Sequence, residues 1–144
     1  SVHPEQLTSE PKCLSRPLYG FENTEHTINN EGPYAFYYHN KIYLAYSGGD
    51  ARGYLYAIGM LTANDGDDLC DLSVWEKAKT PIASFATIPG EYGPGHNSFF
   101  WDRDQNLWIA YHAVTSFEEK IVSSGMRRVY FEQDKTPRFD VIVE

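Results

Sequence analysis

Cysteine and basic charge are what this sequence has least of. Two cysteines, Cys13 and Cys70, occur in 144 residues, with no C-x-x-C and no Cys/His cluster. That excludes a disulfide-framed miniature domain and a zinc site of the usual spacings, and leaves either one bridge or two separate thiols. The cellular compartment stays open. The 12 Lys and Arg residues face 20 Asp and Glu, a formal net charge of −8, and Arg127-Arg128 is the one adjacent basic pair. A chain without a positive stripe cannot neutralise a run of phosphates, so nucleic acid is not an expected partner. Long apolar runs are missing too, since no stretch nears the ~18 residues of a membrane-spanning helix. The opening SVHPEQLTSEPK has neither the charge nor the apolar run of a signal peptide. A soluble chain with no membrane partner is expected, with Ser1 read as the sign that something upstream was removed or never included. There is also no G-x-S-x-G, Walker loop or H-E-x-x-H, so acyl transfer, nucleotide hydrolysis and zinc proteolysis have no support.

Aromatic residues are abundant: 11 Tyr, 8 Phe and 3 Trp. They recur with period 2 between turn residues, the pattern of half-buried antiparallel strands. Runs at Pro33 to His39, Ile42 to Ser47, Tyr54 to Ala63 and Pro81 to Ala86 predict four strands. Asn64-Asp65-Gly66-Asp67-Asp68 is a turn without apolar content, and Asp71 to Ala78 is the one stretch suited to a short helical turn. The predicted class is all-β.

The layout then repeats. Gly32-Pro33 is answered 61 positions on by Gly93-Pro94, and Ile42 to Tyr46 is answered 65 positions on by Leu107 to Tyr111. Met126 to Glu132 and Phe139 to Val143 would finish the second copy. A repeated unit of about four antiparallel strands favours β-propeller blades over a sandwich. The expected organisation is one partial-propeller domain, with residues 1–30 as lead-in, 31–90 as first blade and 91–144 as second blade. At ~60 residues per blade the chain holds two to two and a half blades, whereas closed rings need about four or more. The missing blades are therefore expected from a homo-oligomer, a complementary propeller chain or the rest of a longer protein.

Two positions stand out for chemistry. Glu31 precedes Gly32-Pro33 at the mouth of the first aromatic strand, where a propeller would turn it toward the central channel. A carboxyl beside aromatic surface suits a general acid, although a solvated turn residue fits the same residues. His96 occupies the matching place in the second copy, within Gly93-Pro94-Gly95-His96-Asn97-Ser98. Glycines and a proline around one imidazole suggest a defined site, and a core histidine bonded to backbone carbonyls is the other reading. His112 is equally open, while His3, His26 and His39 lie in lead-in or turn sequence. The acidic run Asp65, Asp67, Asp68, Asp71 lacks the spacing of a calcium loop and reads as a solvated turn. Some of the aromatic faces suit the stacking of a sugar ring.

Taken together, Asn30-Glu31-Gly32-Pro33, Lys41 to Gly48, Tyr56-Ala57-Ile58-Gly59, Trp75-Glu76-Lys77, Tyr92 to Phe99, Ile109 to Ala113 and Met126 to Phe131 resemble the second half of glycoside hydrolase family 43. That family consists of five-bladed propellers and includes arabinofuranosidases, β-xylosidases and arabinanases. The resemblance implies an inverting hydrolase acting on arabinose- or xylose-containing glycans, with Glu31 as general acid. It implies His96 at the ring centre as a substrate-binding residue, near a water-mediated structural calcium, and Arg127 as a substrate-binding residue near the acid. No cofactor is otherwise required. The general base and the aspartate that tunes the acid have no matching motif in this chain, so other blades must supply them. The alternative is a carbohydrate-binding or assembly half-propeller that performs no chemistry.

Overall fold

The computed structural model describes residues 9–116, 118 and 121–140. They form an all-β chain with two main antiparallel sheets stacked face to face, the arrangement of neighbouring blades in a partial propeller. A small hairpin, β1 (Asn23–Thr24) and β2 (Thr27–Ile28), leads in. The first sheet runs β3 (Asn30–Tyr38), β4 (Lys41–Gly48), β5 (Ala57–Asn64) and β6 (Glu76–Lys77) in sequence order. The second runs β7 (Tyr92–Trp101), β8 (Leu107–Ser116) and β9 (Ile121–Arg128), followed by the hairpin of β10 (Tyr130–Phe131) and β11 (Pro137–Arg138). None of the described helices is long and apolar enough to cross a membrane.

The aromatic alternation sets which face each strand buries. On β4, Tyr43, Ala45 and Ser47 are at most 1% exposed and face the second sheet. Phe36 stacks on Tyr43 with ring centres 4.8 Å apart, and Phe99 of β7 closes on Phe36 at 4.6 Å. Each such pair adds roughly 0.5–1.5 kcal/mol beyond area burial. Ile58, Met60, Leu107, Ile109, Ala113, Val129 and Phe139 complete this core. His39 and Asn40 both have positive φ, which builds the two-residue turn between β3 and β4 whose twist matches the strands. The β7–β8 turn is fastened by Asp102, which accepts bonds from Asp104 N, Asn106 N and Trp108 Nε1 and is thereby held at about 2.

Three expectations change. The fourth strand of the first sheet is Glu76–Lys77, paired with Leu61 and Thr62, and Pro81 to Ala86 makes only a single bridge, Ile58 with Ala83. The physical reason is a competing turn: Ser84 N donates to Thr87 Oγ1, and the amides of Thr87 and Ile88 return to Ser84 O. The expected helical turn shrinks to Leu72–Val74, capped by Asp71. Strand β9 begins at Ile121 and runs to Arg128, the Val129 amide still bonds Leu107 O along the same ladder, and the short β10 takes up Tyr130–Phe131. Of the expected strand Phe139 to Val143, residues 141–144 lie outside the described residues, as does His3. Cys13 and Cys70 are both free and exposed.

One buried ion pair joins the lead-in to the first sheet. Glu22 is fully buried and accepts from the Leu18 amide at 2.6 Å, the Tyr19 amide at 2.8 Å, Asn30 Nδ2 at 2.8 Å and Tyr46 Oη at 2.8 Å. Lys77 Nζ pairs with the same carboxylate, donates to Arg16 O and lies over the Tyr19 and Tyr46 rings. Burial alone would push the Glu22 carboxyl up, but Lys77, the two amides and Tyr46 outweigh it and hold it at about 2. A carboxylate lowered from 4.5 to about 2 stabilises the folded chain above pH 4.5 and loses that contribution as pH falls toward 2. Urea midpoints measured at pH 6, 4 and 3 are therefore expected to drop steeply in the wild type, and with a much shallower slope in Glu22→Gln.

Candidate functional site

The site forms where the start of β3 meets a bulged segment of β7. Glu31 is the second residue of β3, opposite Ser47, and the register shifts between Glu31 and Tyr34. Gly32 sits at φ +55, a left-handed conformation that side chains disfavour. A Cβ on Gly32 would meet His96 Nδ1 at 3.6 Å, an ordinary contact, so the Glu31 segment and His96 lie side by side across the two sheets and it is the left-handed φ, not lack of space, that calls for glycine. His96 itself has φ 51, and β7 slips register on both sides of Gly95. Bulges of this kind re-aim side chains beside sites. The His96 ring is exposed, not packed in the core, and its amide donates to Ser47 Oγ at 2.8 Å.

Two residues that the sequence did not single out complete the group. Tyr56, fully buried just before β5, donates its hydroxyl to Glu31 Oε1 at 2.7 Å. His112, half-buried on β8, stacks on the Tyr56 ring at 5.6 Å and 9° and faces the His96 ring at 6.3 Å and 19°. Burial and the neighbouring His96 pull the His112 imidazole below its ordinary range, against the opposing pull of the Ala51 backbone and Glu31. Beside these rings, a shallow hollow of about 300 Å³ is lined by His96, Ser98, Ala110, Tyr111, His112 and Ser124. Tyr56 offered no signal in the sequence beyond being one aromatic in an aromatic strand, and His112 ended a strand that reads equally well as core. Among the described residues, Glu31 is the one carboxylate bonded to this group.

Arg127 is not brought to it. On β9 it pairs with Ile109, so its side chain shares the Ile109 and Tyr111 face of the second sheet, opposite His112. There Nε donates to Tyr111 Oη at 2.7 Å and the guanidinium pairs with Glu91 at 2.7 Å, while Tyr111 Oη donates to Glu91 Oε2 at 2.5 Å. Burial and Glu91 push the Tyr111 hydroxyl up to about 12, with Arg127 opposing. The triangle braces the segment entering β7 with β8 and β9, and it engages the Arg127 guanidinium within the second sheet. No group of three or more His, Cys, Asp or Glu among the described residues could hold a metal ion directly, so a calcium near His96 would have to be held through water.

Gly95 keeps the group closed. A Cβ there would fall 2.0 Å from Tyr56 Cε1, so the Tyr56 ring lies flat on the bare backbone. Gly95→Ala is expected to displace Tyr56 and destabilise the chain by about 1–3 kcal/mol through overpacking, read as a lower thermal midpoint. An unchanged midpoint would show that the ring has room to move.

Comparison with known proteins places this geometry in a family. Residues 3–137 match Glycosyl hydrolases family 43. An extracellular exo-α-(1→5)-L-arabinofuranosidase of Streptomyces avermitilis is 29% identical over 150 residues, covering 99% of this chain and 31% of its own length. The enzyme of the same description from Streptomyces chartreusis is 37% identical over 113 residues, covering 78% of this chain and 34% of its own. The crystal structure of an α-L-arabinofuranosidase from Lactobacillus brevis superposes with a TM-score of 0.84 at 31% identity, covering 95% of this chain and 44% of that one. The chain thus spans about a third of the length of the curated relatives it matches. With the family's match running through nearly every described strand, the chain belongs to glycosyl hydrolase family 43.

Proposed function

We propose that this chain contributes the general-acid part of an active site that hydrolyses glycosidic bonds in arabinose- or xylose-containing glycans. The observation that carries the reading is the setting of Glu31. One of its oxygens is tied to Tyr56, and the other accepts from none of the described residues, at the junction of two sheets and beside the exposed His96. In the proposed step the Glu31 carboxyl gives its proton to the glycosidic oxygen as the bond to C1 breaks, and the bonding pair stays on that oxygen. Water attacks C1 from the opposite face and gives its proton to a second carboxylate, which further blades must provide. Those blades come from additional copies of the chain, a complementary chain or a longer protein that contains this segment. The exposed Tyr34 ring is one of the aromatic faces of the kind that suit stacking on a sugar. The kinship with arabinofuranosidases favours an arabinofuranoside over a xyloside.

Light scattering paired with an assay of nitrophenyl arabinofuranoside and xyloside tests this. Turnover is expected from a closed assembly and not from the 144-residue monomer, and it is expected to vanish with Glu31→Gln. Binding of arabino-oligosaccharides by every assembly without turnover would instead make this a sugar-binding half-propeller.

A further inference from the structure

Two hydrogen bonds hold the segment around Glu31. Ser47, fully buried on β4 and opposite Glu31 in the register, accepts the His96 amide at 2.8 Å. Tyr56 donates its hydroxyl to Glu31 Oε1 at 2.7 Å. The ring that carries it cannot swing away, because Gly95 lies against one region of it and the His112 imidazole stacks on it at 9°. Burial and Glu31 both push Tyr56 ionisation upward, so it remains a proton-bearing donor across the working range of pH.

We infer that Tyr56 is a positioning residue for the proton donor, binding Glu31 Oε1 so that Oε2 is the oxygen that delivers the proton. The inference rests on the proposed role of Glu31 as general acid. When Glu31 releases its proton from Oε2, the charge left behind is shared with Oε1, where the Tyr56 hydrogen bond strengthens. A donor whose bond tightens as charge develops lowers the barrier and does little for substrate binding. Hydrogen bonds to charged groups set the scale, and Tyr56→Phe is expected to reduce kcat by roughly 10- to 100-fold on a sugar-to-sugar linkage while leaving KM nearly unchanged. On a dinitrophenyl glycoside, whose leaving group departs without a proton, the loss is expected to be much smaller. A residue that only held the fold together would depress both substrates alike.

The experiment compares wild type, Tyr56→Phe and Glu31→Gln on those two substrates in the assembly that turns them over. Equal losses on the two substrates, or none on either, in Tyr56→Phe would overturn the inference while selective loss in Glu31→Gln kept the acid intact. No substrate selectivity in Glu31→Gln would instead remove the acid reading itself. A second arm needs no turnover: in the 144-residue chain labelled with [13Cζ]tyrosine, the Tyr56 resonance, assigned by its absence in Tyr56→Phe, is expected to differ between wild type and Glu31→Gln. A Tyr56 resonance indifferent to Glu31→Gln would overturn the contact on which the inference stands.

Discussion

Replacing Lys77 with methionine is expected to lower the unfolding free energy by about 3–5 kcal/mol at pH 7, because it strips the counter-charge from a buried carboxylate. Glu22 has no exposed surface, and its other partners are neutral donors: two amides, Asn30 and the Tyr46 hydroxyl. They solvate the charge but do not balance it. The converse change, Glu22→Gln, leaves Lys77 with 13% of its side chain exposed, the Arg16 carbonyl and two aromatic faces. It is expected to cost less than Lys77→Met. The double variant is expected to be more stable than the sum of the single losses predicts, since the pair disappears together. Urea denaturation of the four proteins measures this, and strict additivity would show that the two groups do not interact. The pair also joins three elements: the lead-in at Leu18 and Tyr19, the start of β3 through Asn30, and the two-residue β6. Asn30 immediately precedes Glu31, so loosening this pair loosens the strand that aims the proposed acid.

The second large effect is on catalysis. Glu31→Gln is expected to slow cleavage of a sugar-to-sugar linkage by roughly 10²–10⁴-fold, the range spanned by general-acid contributions. Glutamine is the informative replacement because its amide oxygen still accepts the Tyr56 hydroxyl and its size is unchanged. Thermal midpoints of wild type and variant are therefore expected to agree within about a degree or two, a change of a few tenths of a kcal/mol. A rate loss accompanied by a collapsed midpoint would place Glu31 in the structural scaffold.

The parts of this fold legible in the sequence are those governed by local rules. Alternation along Tyr34 to Tyr46 marked β3 and β4, and the left-handed His39-Asn40 turn between them follows from short-range chemistry. Glu31 and His96 were visible because each is surrounded by Gly and Pro, whose backbone behaviour is read from residue type alone. What escaped depends on contacts far apart in the chain. Pro81 to Ala86 has strand composition, yet the edge of β5 is taken by Glu76–Lys77, because Lys77 is drawn to Glu22 from a distant segment. Tyr56 looked like any core tyrosine, and the role proposed for it depends on Glu31 and Gly95 meeting it from two other strands. Arg127 sits in a recognisable block, and only strand pairing shows that its side chain lies on the Glu91 and Tyr111 face.

The central claim is that Glu31 acts as a proton donor, and the dependence of rate on the leaving group tests it most directly. Wild type and Glu31→Gln are compared on an arabino-disaccharide and on dinitrophenyl arabinofuranoside in one assembly under one set of conditions. The expected result is a large wild-type advantage on the disaccharide, whose leaving oxygen needs a proton, and a small one on the aryl glycoside, whose leaving oxygen does not. An equal advantage on both substrates, or none on the disaccharide, would contradict it.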